Sequence, residues 1–95
     1  MTYLPLTNNP EESFIISIFG NLYNFRQIWN EYGFWTLDIH DADGNVLIYG
    51  VKIITQEYLL KQYPDILFDL YSQAASDPTR LALSSFQLEV SNKDV

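Results

Sequence analysis

The chain of 95 residues contains no cysteine. That absence excludes disulfides, thiol nucleophiles, iron–sulfur clusters and thiolate zinc sites together. Basic residues are scarce as well: five Lys and Arg stand against twelve Asp and Glu, for a formal charge of −7. Arg26, Lys52, Lys61, Arg80 and Lys93 are scattered along the chain. Specific nucleic-acid binding rests on phosphate neutralisation and needs a clustered basic footprint, so it is not expected here. The same acidic balance repels anionic membranes. No apolar run approaches the ~20 residues of a membrane span, and Met1-Thr2-Tyr3-Leu4-Pro5 lacks the basic-then-apolar order of a secretory signal. The four glycines, Gly20, Gly33, Gly44 and Gly50, stand too far apart to form a phosphate-cradling loop.

Apolar residues make up 47% of the chain and aromatics 16%. A chain of this length buries roughly 60–70% of the surface that its unfolded form exposes, enough for one core. The expectation is therefore one β domain over residues 1–95, with 91–95 as a frayed tail. The fold class expected is mainly β: a small antiparallel β-sandwich or partly open barrel of about 6–7 strands, with one short helix at about 56–63.

The local signals are these. Ser13 to Phe19 is β-branched and aromatic, Gly20-Asn21 is turn chemistry, and Leu22 to Trp29 follows, which predicts a hairpin whose second arm turns Tyr23, Phe25, Gln27 and Trp29 inward. Trp35, Leu37 and Ile39 alternate with Thr36, Asp38 and His40, the pattern of a strand with one wet face. Asp41-Ala42-Asp43-Gly44-Asn45 is a reversing turn, with Asp41, Asp43 and Gly44 as its signature residues. From Val46 to Ile54 both phases are apolar, so the strand needs cover on two sides, from its own chain or from a partner subunit. Thr55 as N-cap, Glu57 and Lys61 four apart, a Leu59-Leu60-Tyr63 stripe and Pro64 as a stop predict the short helix. Ile66 to Tyr71 and Phe86 to Val90 complete the strands, and Leu81 and Leu83, out of phase with the last, call for a bulge or a loop reaching Ser85.

No active site can be assembled from these residues. His40, the sole histidine, has Asp38, Asp41 and Asp43 near it in sequence, but the turn explains Asp41 and Asp43, and a polar strand end accounts for the rest. Asp41, Asp43 and Asn45 resemble the opening of an EF-hand loop, yet the sixth position is Val46 instead of Gly and the twelfth is Lys52 instead of Glu. No serine sits in a Gly-flanked elbow. The expectation is a protein that is no enzyme and has no catalytic, cofactor-binding or metal-ligating residue. Tyr32, Phe34 and Trp35 cluster near a loop, which gives an alternative reading as a non-catalytic ligand-binding β module, with carbohydrate as the candidate ligand.

Leu4-Pro5-Leu6, Phe14, the Gly20 turn, Tyr23, Trp29-Asn30, Trp35-x-Leu37-Asp38, Asp41-Ala42-Asp43-Gly44, Leu47, Gly50-Val51 and Leu59-Leu60 together resemble the phage baseplate plug family known from a cyanophage. The likeness spans roughly Leu4 to Val90 and is strongest from Trp29 to Leu60. It implies a glycine close after Thr55, where this chain has Gln56. It also implies a structural virion protein of a contractile-tailed phage, made in the host cytoplasm and seated in the tail baseplate where tube meets hub. Its partners would be baseplate, hub or tail-tube proteins, with room for contacts between copies of the chain. Large apolar residues on the phase that the core does not need are the candidates for such an interface: Ile15, Phe19, Val46, Ile48 and Tyr49.

Overall fold

The apolar–polar alternation of the first half is realised as four consecutive antiparallel strands in the computed structural model, which describes residues 2–93. They are β2 (Glu11–Ile18), β3 (Asn21–Asn30), β4 (Phe34–Asp41) and β5 (Val46–Lys52), paired in that order as a meander. The two-residue turn between β2 and β3 is Phe19-Gly20, both at positive φ (50° and 86°), the mirror-image turn geometry whose twist matches that of the flanking strands. A second, three-stranded antiparallel sheet has the order β1 (Thr2–Tyr3), β7 (Glu89–Asn92), β6 (Phe68–Tyr71).

The inward phase of the meander sets the core. Phe14 pairs with Phe25 across β2 and β3 and stacks on it, with centroids 5.4 Å apart. From the opposite sheet Phe68 meets Tyr23 edge-on at 4.9 Å and Phe25 at 6.2 Å, so these rings join the two layers. Trp35, Leu37 and Ile39 are fully buried, and Leu60, Leu70, Leu83 and Leu88 close the same cluster. Each such side chain stabilises the fold by about 1.5–3 kcal/mol through removal from water.

Gln27 is the polar residue on the inward face of β3, and it is completely buried. Its Oε1 accepts the Thr7 N–H at 3.0 Å, while Nε2 donates to the Thr7 carbonyl (2.9 Å), Thr7 Oγ1 (3.0 Å) and the Asn9 carbonyl (2.7 Å). The Thr7–Asn9 stretch between β1 and β2 is thereby latched onto the meander. Arg80 fixes it from the other side by donating to the Asn8 carbonyl at 2.7 Å.

The two apolar phases of Val46–Ile54 are not two greasy faces. Leu37 pairs with Val51 and Ile39 with Ile48, so two residues of β5, Tyr49 and Gly50, stand opposite Asp38 alone. This is a β-bulge; it switches the phase, which lets Ile48 and Val51, three apart, both face inward. A second shift follows, because His40 pairs with Val46. Gly50 sits at φ +68°, and the buried Asp38 carboxylate accepts its N–H at 2.8 Å. The wet face expected for β4 is correspondingly drier than its alternation suggests, since Thr36 and Asp38 are both buried.

The helix expected at 56–63 does not form. Gln56 adopts φ +58°, incompatible with a helical first turn. The backbone donors that a helix would leave at its N-terminus are taken by β6 and its extension instead: Gln56 N–H by the Ser72 carbonyl (2.9 Å), Leu59 N–H by the Leu70 carbonyl (3.0 Å) and Leu60 N–H by the Asp69 carboxylate (2.8 Å). Thr55, expected as a cap, donates its hydroxyl to the Ala74 carbonyl. Successive turns then carry the chain onward, with Tyr63 N–H on the Leu60 carbonyl and Ile66 N–H on the Tyr63 carbonyl, both at 3.0 Å. The segment covers the outer edge of β6.

Leu83–Ser85 is a single 3₁₀ turn, which takes up the phase change expected before the last strand. Ser91 and Asn92, expected in a frayed tail, are the final residues of β7, and Lys93 Nζ donates to the Leu60 and Tyr63 carbonyls at 2.6 and 2.7 Å. Residues 94–95 of that expected tail lie outside the described residues.

Candidate functional site

One cross-strand row runs over the outer face of the meander: Ile15 pairs with Asn24, Asn24 with His40 and His40 with Val46. Its two ends are apolar and exposed. Ile15 is 69% exposed, and Leu22, one pair nearer the hairpin on the same phase, is also exposed. Tyr49, lifted out of register by the bulge and 71% exposed, sets its ring edge-on to His40 at 6.0 Å. Phe19, 59% exposed, stands at the hairpin tip. Because Tyr23 pairs with Asp41, the Phe19-Gly20 turn and the Asp41–Asn45 turn lie at the same end of the sheet. Between them is an open cleft of about 160 Å³ lined by Ile15, Leu22, Asn24 and Asp41, among others.

Four of the five expected interface residues, Ile15, Phe19, Val46 and Tyr49, are thus exposed toward this end of the sheet. Ile48 is not among them: it is 3% exposed and belongs to the core, because the bulge turns it inward. Leu22 and Leu47 are exposed there and were not singled out from the sequence. Leu22 was recoverable, since it shares the outward phase of Asn24 and Arg26. Leu47 was not, since it lies where the register of β5 shifts.

The other half of the face is charged. Arg26 forms an ion pair with Glu11 across the β2–β3 pair, and Lys52 lies over the Phe34 ring at 4.7 Å. With Arg80 on the Asn8 carbonyl and Lys93 on the carbonyls of Leu60 and Tyr63, four of the five cationic side chains are engaged within the chain.

The Asp41–Asn45 turn is self-satisfied. The Asp41 carboxylate accepts the Asp43 and Asn45 N–H groups at 2.9 Å each and the Asn45 side-chain amide at 3.2 Å. The backbone hydrogen bond from Asn45, ahead of those from the other turn groups, holds the Asp41 carboxyl below the usual carboxylate range. Gly44 closes the turn by donating its N–H to the Asp41 carbonyl at 3.1 Å. Asp38 is spent on Gly50, so the sequence neighbours of His40 are not gathered around it. Among the described residues, no three His, Asp or Glu side chains come together where they could hold a cation.

The aromatic cluster near the β3–β4 loop is divided. Trp35 is buried, edge-on to Trp29 at 5.3 Å, with its Nε1–H donated to the Thr79 carbonyl at 2.8 Å; Phe34 lies under Lys52. Tyr32 alone of the three is fully exposed, so these rings do not form a stacking platform. A wider cleft of about 370 Å³ lies against the second sheet, lined by Tyr3, Tyr71, Gln73, Gln87 and Glu89 among others. Its lining includes one carboxylate, that of Glu89, and no basic side chain.

The sequence model of the family described as "Cyanophage baseplate Pam3 plug gp18" matches residues 1–91 of this chain. The chain belongs to this cyanophage baseplate plug family. Among curated proteins none matches it. Membership makes it a structural phage baseplate protein, associated with other baseplate or tail proteins in the virion tail. Among the residues through which the sequence resembles the plug family, Asp38 and Gly50 form the bulge, Trp35 and Leu37 belong to the core, and Asp41 and Gly44 form the turn, while Leu47 is exposed.

Proposed function

We propose that this plug-family chain acts without catalysis, as a packing element where tail tube meets hub, held by its exposed apolar end against neighbouring subunits. The observation that carries this reading is the grouping of Ile15, Phe19, Leu22, Val46 and Tyr49 toward one end of the meander, beyond what the core uses. Large apolar side chains gathered on one exposed surface mark a protein contact more often than a stable solvent face. The acidic charge of −7 supports the same place in a virion, since such a surface does not hold passing DNA. The fold serves the function by rigidity: β2–β5 present the band, and residues 1–95 act as one domain behind it.

The test is a set of three variants carried by the phage. Ile15→Asp and Tyr49→Asp leave the free chain folded and abolish its incorporation into purified tails. Ile48→Asp unfolds the chain. Normal incorporation of both surface variants would sink the reading.

A further inference from the structure

The sheet edges differ in how they end. The outer edge of β6 is covered by the segment that starts at Gln56, β1 is two residues long, and β5 is bulged twice. β2 is the exception: eight residues in unbroken register with β3, with no bulge, and nothing among the described residues paired with its other side. The Pro10 carbonyl accepts the Trp29 N–H at 2.7 Å, which fixes the alternation of the antiparallel ladder. Glu12, Phe14, Ile16 and Ile18 therefore bond to β3, whereas Glu11, Ser13, Ile15 and Ser17 direct their N–H and C=O groups to the open side. Proteins commonly blunt such edges with prolines, lysines or bulges, because a free edge is a template for another strand.

We infer that the β2 edge is a strand-addition site that takes an extended segment of a basic neighbouring baseplate subunit. The inference rests on the packing role proposed above and names how the contact is made. Main-chain hydrogen bonds to Glu11, Ser13, Ile15 and Ser17 supply register, and the side chains of these four residues, all on the outer face, supply selection. Opposite Ile15, in the middle of the edge, an apolar β-branched residue fits; opposite Ser13 and Ser17, small or hydroxylated ones; opposite Glu11, whose carboxylate holds Arg26, a polar one. Charge decides against a second copy. The chain carries −7, and four of its five cations are engaged internally. A second copy of the chain, also at −7, laid along this edge meets like charge, and a basic segment meets its complement.

The experiment compares the full chain free in solution with the chain in purified intact tails, by amide hydrogen exchange and by a density map of the baseplate. Exchange at Ser13, Ile15 and Ser17 slows by about tenfold or more on assembly, and the map shows a strand of a basic subunit beside β2. Ser13→Pro removes an outward N–H and spares the β3 ladder, so the free chain stays folded and incorporation falls by about tenfold or more; Phe14→Pro, which breaks the ladder, unfolds it. A bare β2 edge in a tail that contains the chain overturns the inference and leaves the packing role standing, as does a second copy of the chain along β2. Tails that lack the chain altogether overturn both.

Discussion

The carboxylate of Asp38 accepts the backbone N–H of Gly50 at 2.8 Å, across the point where β5 carries one residue more than β4. Two sequence signals of the plug family, the Asp that ends Trp-x-Leu-Asp and the Gly of the following strand, are thus the two halves of one bulge. The bulge turns Ile48 inward and leaves Tyr49 outside, so it separates core from contact surface. Asp38→Ala removes the acceptor of the Gly50 N–H, which water can then reach, and costs about 0.5–1.5 kcal/mol by chemical denaturation, whereas Asp38→Asn, which keeps an acceptor oxygen, costs less.

Gln56 occupies a left-handed conformation, φ +58°, at the place where the family resemblance implies glycine. A side chain there is strained and glycine is not. Gln56→Gly is expected to stabilise the chain by about 0.5–1 kcal/mol, after allowance for the extra freedom glycine gives the unfolded state. Thermal and urea unfolding both read this, and a loss of stability would count against the backbone described for that segment.

Gln27 joins β3 to the Thr7–Asn9 segment through both ends of its amide. Gln27→Leu fits the volume but leaves the Thr7 N–H and two carbonyls without partners. The expected cost is about 2–3 kcal/mol, with hydrogen exchange at the Thr7 amide rising ahead of exchange in the meander.

Two exposed carboxylates give the chain an acid-side signature. Glu12 is held below its ordinary range chiefly by the Thr7 hydroxyl, then by Asn9, and Asp41 chiefly by the Asn45 N–H. Groups whose folded pKa is depressed contribute stability above their unfolded pKa and lose it as pH falls through the folded one. Melting temperature should therefore hold steady near neutrality and decline once pH drops through the carboxylate range. Glu12→Gln and Asp41→Asn should each flatten that decline. A carbon-detected NMR titration that finds either carboxyl at or above its ordinary range would contradict the geometry of these turns.

The first half of the chain was legible because its signals are local. Alternation from Ser13 to Ile39 and the Asp41–Asn45 turn chemistry give the meander and the inward face of β3. The β2–β3 turn lies one residue earlier than Gly20-Asn21 suggests, because Phe19 takes a positive φ that sequence does not favour for phenylalanine. Phase could not be read through β5, where two shifts in seven residues make an inward set look like two apolar faces; Ile48 was misplaced for that reason. The 56–63 segment has helical spacing, but its donors go to Ser72, Leu70 and Asp69, partners 9 to 16 residues away that no local pattern announces. The band of exposed apolar residues was visible only in part, since exposure is decided by which sheet covers which face.

The central claim is that the apolar end of the meander faces another subunit in the assembled tail. Because the chain has no cysteine, single Ile15→Cys and Tyr49→Cys variants carry one thiol each, and their labelling rates can be compared between the free chain and intact tails, with denatured tails as the reference. The account predicts fast labelling of the free chain and strong protection in the tail at both positions. Equal rates in the two states would contradict it.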